Sequence, residues 1–377
     1  MFDWCSVSDQ IGRRPRLVDL QILRAVAAAL VVWAHGIDVS LLAEKGKPLL
    51  AYGHLENFGA FGVDLFFVLS GYIITVSSER TDRNWFQFAT DRFIRIAPIF
   101  YILSLPWIVR AMLVPDHSWL PFVPTFFFWP IVDGRYIEPF LSVGWTLSFE
   151  VLFYSAMAAS IFLRAWVSRP AVLVIAFFLA TMSTRALFHT AVLDFLGNPI
   201  ILEFLFGIGI SMMLQLTGPN RRLAVGISVL VVLALTYQLI FGFGGISESK
   251  FIQSGELSLR RAIVWGLPAA GIVYATLLFG NPSSEGSLRR FLAFLGDASY
   301  SIYLVHLLVM AVLKVLQARG LVSGDPLIIL SILCSLFAGS LSFLFIEKPT
   351  IDFLKRLRHQ SHFRDSGMRV PRDLPLY

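Results

Sequence analysis

Charge is what this sequence has least of. Asp, Glu, Lys and Arg make up 15% of its residues, against roughly 25% in a soluble globular domain. A soluble chain of 377 residues needs a charged surface over its core, and this composition does not supply one. Cysteine is nearly missing as well. Cys5 lies in the N-terminal tail and Cys334 inside an apolar block. That pair excludes a disulfide framework and any Cys/His metal spacing, so no metal is expected. There is no internal repeat, no low-complexity tract and no appended soluble domain. What the chain does have is 56% hydrophobic residues and a mean hydropathy of +0.71, laid out in long blocks rather than short amphipathic stripes. Lipid is the solvent such blocks require.

About 20 apolar residues cross a ~30 Å hydrocarbon core as a helix. Ten segments meet that requirement, near 18–40, 58–77, 96–114, 143–163, 170–189, 198–216, 223–242, 259–279, 299–317 and 327–346. The expected fold is an all-α integral membrane protein of about ten transmembrane helices. Its parts are an N-terminal tail (1–17), a membrane domain (18–346) and a basic C-terminal tail (347–377), with 359–377 loose. The Phe-, Trp- and Pro-rich stretch 119–131 is too short and too broken to span, and reads as a re-entrant or interfacial loop. Basic residues gather in the N-terminal tail, in alternate loops and in the C-terminal tail, which places both termini in the cytoplasm. Because these charges fall between apolar blocks, nucleic acid is not an expected partner. Arg13, Arg14 and Arg16 precede an apolar run as in a signal peptide, with Ala27-Ala28-Ala29 as a cleavage site. The run continues well past that point, so it reads as the first span.

Ionisable groups inside spans need a reason to be there. Arg24 and His35 stand eleven residues apart in the first span. Eleven steps make three turns plus about 20°, so both leave one face of the helix, separated by about 16 Å along its axis. His35, Asp64, Glu150 and, as the weakest member, Glu203 lie at similar distances from the outer ends of their spans. A histidine among carboxylates at one depth is what a buried general base requires, with a partner to orient the ring and stabilise its charged form. Asp38, one turn beyond His35, is an alternative partner. Each of these groups can also be explained as a structural hydrogen bond between helices.

Arg80, Arg83, Arg92 and Arg95 alternate with Trp85, Phe86 and Phe88. The plain reading is an interfacial helix. The sharper one is a phosphate-binding patch in which Arg92 and Arg95, one turn apart, grip a phosphorylated cofactor. Tyr300, Ser301, Tyr303 and His306 form a polar face in apolar surroundings. His306 reads there as a satisfied core residue ahead of a second catalytic group.

Five segments, LQILRAVAAALVVWAHG (20–36), GVDLFFVLSGYII (62–74), RFIRIAPIFY (92–101), GWTLSFEVLFY (144–154) and SYSIYLVH (299–306), together with IEKP (346–349), resemble the acyltransferase 3 family of membrane enzymes that O-acylate surface glycans. The resemblance runs from the first span to the last. It implies that His35 is the essential histidine and Arg24 the arginine that precedes it. Arg92 and Arg95 match the basic motif linked to donor binding, and Glu150 matches the acid of the W-x-L-x-x-E motif. It further implies an acyl-CoA donor, often acetyl-CoA, and a bacterial inner-membrane location. The acceptor would be a polysaccharide or lipid-linked oligosaccharide, as for exopolysaccharide O-acetyltransferases. On this reading His35 is the catalytic base or acyl carrier, and Glu150 or Asp64 orients it or binds the sugar. Two other classes stay open on the residues alone: a glycan or lipid-linked-sugar transporter with a buried polar layer, and a membrane scaffold or sensor without chemistry.

Overall fold

The computed structural model describes residues 15–42, 48–52, 54–78, 84–115, 118–163, 169–242, 245–280 and 286–365. Arg13, Arg14, Arg80, Arg83 and the end of the C-terminal tail lie outside them. Among the described residues ten helices are long and apolar enough to cross a membrane: Val18–Leu41, Phe61–Ser78, Trp85–Met112, Ser142–Phe162, Pro170–Leu187, Ala191–Thr217, Arg221–Phe241, Ser258–Phe279, Ser299–Ala318 and Gly324–Arg358. The helices that build the site are α1 (Pro15–Leu41), α2 (Phe61–Ser78), α3 (Trp85–Met112), α4 (Trp145–Phe162), α5 (Leu202–Thr217), α6 (Leu267–Phe279), α7 (Ser287–Asp297), α8 (Ser299–Ala318) and α9 (Gly324–Ser342).

Helix α2 is the most enclosed of the ten spans, whereas Arg221–Phe241 presents most of its surface outward. With lipid as apolar as leucine, helices associate through close packing, which small residues permit. At the crossing of α2 and α5, Gly71 and Gly207 face each other's helix. A Cβ on Gly71 would lie 2.2 Å from the Phe204 carbonyl oxygen, and one on Gly207 2.4 Å from that of Val68. A larger residue at either position would push the two helices apart.

Two boundaries depart from the sequence expectation for a local physical reason. The third span begins near residue 85 rather than 96. Asn84 caps α3 by accepting from the Gln87 backbone N–H at 2.8 Å while the Gln87 side chain reaches back to Asn84, a reciprocal box that starts a helix among polar residues. Arg92 and Arg95 therefore sit within the spanning helix and not in a loop. The last span does not end at 346. A π-helical segment, Phe343–Glu347, leads into a helix over Lys348–Asp365. A widened turn at this point relieves the clash that Pro349 would make with the preceding turn. The same device precedes α6, where the π segment Ala262–Gly266 leads into Pro268. That proline removes a donor from the Val264 carbonyl, and Gln238 Nε2 supplies one at 2.6 Å. The 119–131 stretch holds a short helix, Phe122–Phe127, followed by a two-residue hairpin, Ile131–Val132 with Arg135–Tyr136.

Candidate active site

Helices α1, α2, α3, α4, α7 and α8, with the chain around Phe343–Asp352, enclose a cavity of about 550 Å³. Its charged lining comes from five separate parts of the sequence: Arg24, Arg92 and Arg95, Glu150, Asp297, and Lys348 with Asp352. Arg24 donates through Nε to Ser299 Oγ at 3.2 Å, and its guanidinium lies 5.9 Å from the centre of the Phe66 ring. Arg92, only 6% exposed, donates to Ser77 Oγ at 2.8 Å and lies over the rings of Phe88 and Tyr154. Arg95 forms an ion pair with the fully buried Glu347. The other Glu347 oxygen accepts from Ser301 at 2.6 Å. Glu150 accepts from Ser70 at 3.1 Å and from the Tyr154 hydroxyl. Planar guanidiniums held by hydroxyls and aromatic faces are arranged to receive an anion with several oxygens.

His35 is not part of that lining. Further along α1, its side chain is 38% exposed and its Nδ1 lies 3.4 Å from Asp38 Oδ2. Asp38, rather than Glu150 or Asp64, is the carboxylate beside the ring. The ring centre of His306 is 5.1 Å away. His306 is fully buried, and its Nδ1 meets the Tyr303 carbonyl oxygen. A carbonyl only accepts, so this nitrogen carries the proton. Nε2 is then a bare lone pair, with no hydrogen-bond partner among the described residues. Tyr303 closes the chain of contacts. It lines the cavity, its ring lies 5.9 Å from that of His306 and 6.1 Å from Phe66, and its hydroxyl donates to the Val143 carbonyl at 2.8 Å beside Thr146 Oγ1. Tyr303 and His306 thus stand between the cationic cavity and His35.

Asp64 has a different setting. Both its oxygens are taken by Arg261, Nε to Oδ1 and Nη2 to Oδ2, each at 2.9 Å. Both residues are essentially unexposed. Arg261 also donates to the carbonyls of Ala60 and Ile246 and lies over Trp265. Glu203 is buried beside this pair, against Gly266. None of the contacts described for Asp64 reaches His35 or the cavity.

The family described as acyltransferase domain matches residues 17–345, which takes in the cavity lining from Gln21 to Leu344 and stops short of Glu347, Lys348 and Asp352. The chain belongs to this acyltransferase family. It is similar to the exopolysaccharide production protein ExoZ of Rhizobium meliloti (strain 1021), with 33% identity over 313 residues, 79% of this chain and 92% of that protein. No solved structure matches. Family and helices together make the acyltransferase a multi-pass membrane protein.

Of the residues singled out from sequence, the fold brings Arg24, Arg92, Arg95 and Glu150 to one cavity, and places His35 beyond it and Asp64 apart from it. Sequence reasoning passed over Glu347, Asp297 and Arg261. Glu347 had a signal, since it is a lone acid at the end of a spanning block. Arg261 carried no signal of its own, because its partner is 197 positions away.

Proposed function

We propose that this acyltransferase moves an acetyl group from acetyl-CoA to a hydroxyl of an exported polysaccharide or its lipid-linked oligosaccharide precursor, in the bacterial inner membrane. The observation that carries the reading is the division of one helix. Arg24 faces a cation-lined cavity, and His35, about three turns on, faces a partly open site backed by Asp38. A donor and an acceptor arriving from opposite sides of the membrane require such a division. The relative's printed name, an exopolysaccharide production protein, supports the acceptor class.

In this reading the phosphates of coenzyme A dock on Arg24, Arg92 and Arg95, on the cytoplasmic side. The thioester arm extends toward His35 past Phe66 and Tyr303, which must yield to let it through. Asp38 accepts a hydrogen bond from the Nδ1–H of His35 and so directs the Nε2 lone pair at the acceptor hydroxyl. The O–H bond breaks with its proton going to His35, the acyl C–O bond forms, and the C–S bond breaks. The departing thiolate then takes the proton from His35. Direct transfer of this kind needs no acyl-enzyme. Glu150, held by Ser70 and Tyr154, balances cavity charge.

The reading is tested with purified protein in nanodiscs, radiolabelled acetyl-CoA and de-O-acetylated polysaccharide. Label reaching the polysaccharide supports it, and binding of the polysaccharide without any labelling contradicts it. Arg24→Gln removes one charge-assisted contact worth about 1.5–3 kcal/mol, so the acetyl-CoA Kd rises roughly ten- to hundredfold, as measured by calorimetry.

Asp297 adds a pH dependence. Burial raises its carboxyl above the ordinary range, against the opposing pull of Arg24 and Arg95. It therefore takes up a proton at a higher pH than a free carboxylate does. As pH falls through that raised value the cavity loses a negative charge, so an anionic donor binds more tightly on the acid side. Asp297→Asn flattens this dependence and holds the affinity at its acid-side value, as read by titrating acetyl-CoA at mildly acidic and neutral pH.

A further inference from the structure

The three arginines are not the whole cationic lining of the cavity. Lys348 lines it too, and it differs from them in two ways. Arg92 is buried and Arg24 and Arg95 are half-buried, whereas Lys348 is exposed. It therefore marks the end of the cavity nearest to solvent. The charge of Arg95 is met by Glu347, whereas the Lys348 ammonium has no carboxylate partner among the described residues. Glu347 is the chain neighbour of Lys348, so the Arg95–Glu347 pair also fixes where Lys348 stands relative to the arginines. Ile351 and Asp352, three and four residues on, return to the same helix face and line the cavity with it. Phe294 and Phe343, edge to face with ring centres 6.0 Å apart, complete this end.

An exposed cation, a carboxylate and two aromatic rings make a mixed surface that a bare phosphate does not match. A carboxylate repels phosphate, but it accepts from hydroxyl and amino groups. Aromatic rings offer a flat base something to stack on. A nucleotide presents all three chemistries together. We propose that this end of the cavity is the subsite for the nucleotide of coenzyme A, with Lys348 on its 3′-phosphate, Phe294 and Phe343 against the adenine, and Asp352 accepting from a donor on the nucleoside. The inference rests on the reading of the cavity as the donor site and deepens it. Arg24, Arg92 and Arg95 are left to the pyrophosphate, and Lys348 reads the phosphate that separates coenzyme A from its dephospho form. A phosphopantetheine arm on a carrier protein ends before this subsite, so the donor is free acyl-CoA.

The test compares coenzyme A with 3′-dephospho-coenzyme A by calorimetry, on the full-length protein in nanodiscs. Low ionic strength is used because salt screens an exposed pair. Wild type binds coenzyme A about three- to tenfold more tightly than the dephospho form, a contact between an exposed ion pair and a charge-assisted hydrogen bond in strength. Lys348→Gln abolishes the difference by weakening coenzyme A alone, with the affinity for the dephospho form unchanged. Lys348→Arg keeps the difference. An exposed side chain can be exchanged in this way without endangering the fold. A wild-type protein that binds both forms equally overturns the subsite. So does a glutamine variant that weakens both forms alike or keeps the wild-type preference. Wild type that binds neither form overturns the donor reading itself, and the subsite with it.

Discussion

Replacing His35 with alanine lowers acyl transfer by about 10²–10⁴-fold, the usual contribution of a general base, and leaves acetyl-CoA binding within about twofold, inside the scatter of a single weak contact. The split follows from the geometry. Arg24, Arg92 and Arg95 line the cavity, while His35 stands on the far side of Tyr303 and His306. A side chain half open to its surroundings can be truncated without leaving a large void, so folding should be little affected. The checks are calorimetric titration with acetyl-CoA and a labelled-transfer assay on the same preparation. Asp38→Asn should fall between wild type and His35→Ala. An amide still covers the ring but no longer balances the charge His35 acquires, and the loss should appear in kcat rather than in donor affinity.

Asp64→Ala is the substitution expected to damage the fold most. It leaves Arg261 fully buried with its bidentate partner gone. Breaking a buried pair by removing one member costs about 3–5 kcal/mol, because the other charge stays uncompensated. The pair ties α2 to the segment before α6, in contact with the Ala60 and Ile246 carbonyls. A single change there loosens two helices at once. Thermal denaturation in detergent should show a large drop for Asp64→Ala and for Arg261→Met taken singly. The double variant Asp64→Leu, Arg261→Met should recover much of it, since well-packed apolar residues of similar volume often replace a buried ion pair without loss. A stable but inactive Asp64→Ala protein would give this carboxylate a chemical role in place of the scaffolding one.

These two sites mark what the sequence could and could not convey. The spans were legible because lipid imposes a length and a polarity on each one, and because the Arg24–His35 spacing is fixed by helix geometry alone. The Arg92–Arg95 pair was legible as one face of one turn. Partnerships across the bundle were not. Asp64 and His35 looked alike at the level of depth in the membrane. Which carboxylate reaches the ring depends on helix rotation, and that is set by contacts such as Gly71 and Gly207 between α2 and α5. The start of α3 was missed because a capping box at Asn84 outweighed the polarity of the residues that follow it. The extension past residue 346 was missed because proline usually ends a helix, and here a π turn accommodates it. His306 looked like an ordinary core histidine until its neighbour was seen to be His35.

The central claim, that His35 acts as the base in acyl transfer to an exported glycan, is tested most directly in cells. Proton NMR of surface polysaccharide would be compared in a deletion strain, the same strain carrying the wild-type gene, and the same strain carrying His35→Ala at matched membrane levels. The account predicts O-acetyl signal lost in the deletion, restored by wild type and absent with His35→Ala. O-acetyl signal of wild-type intensity in the His35→Ala strain would contradict it.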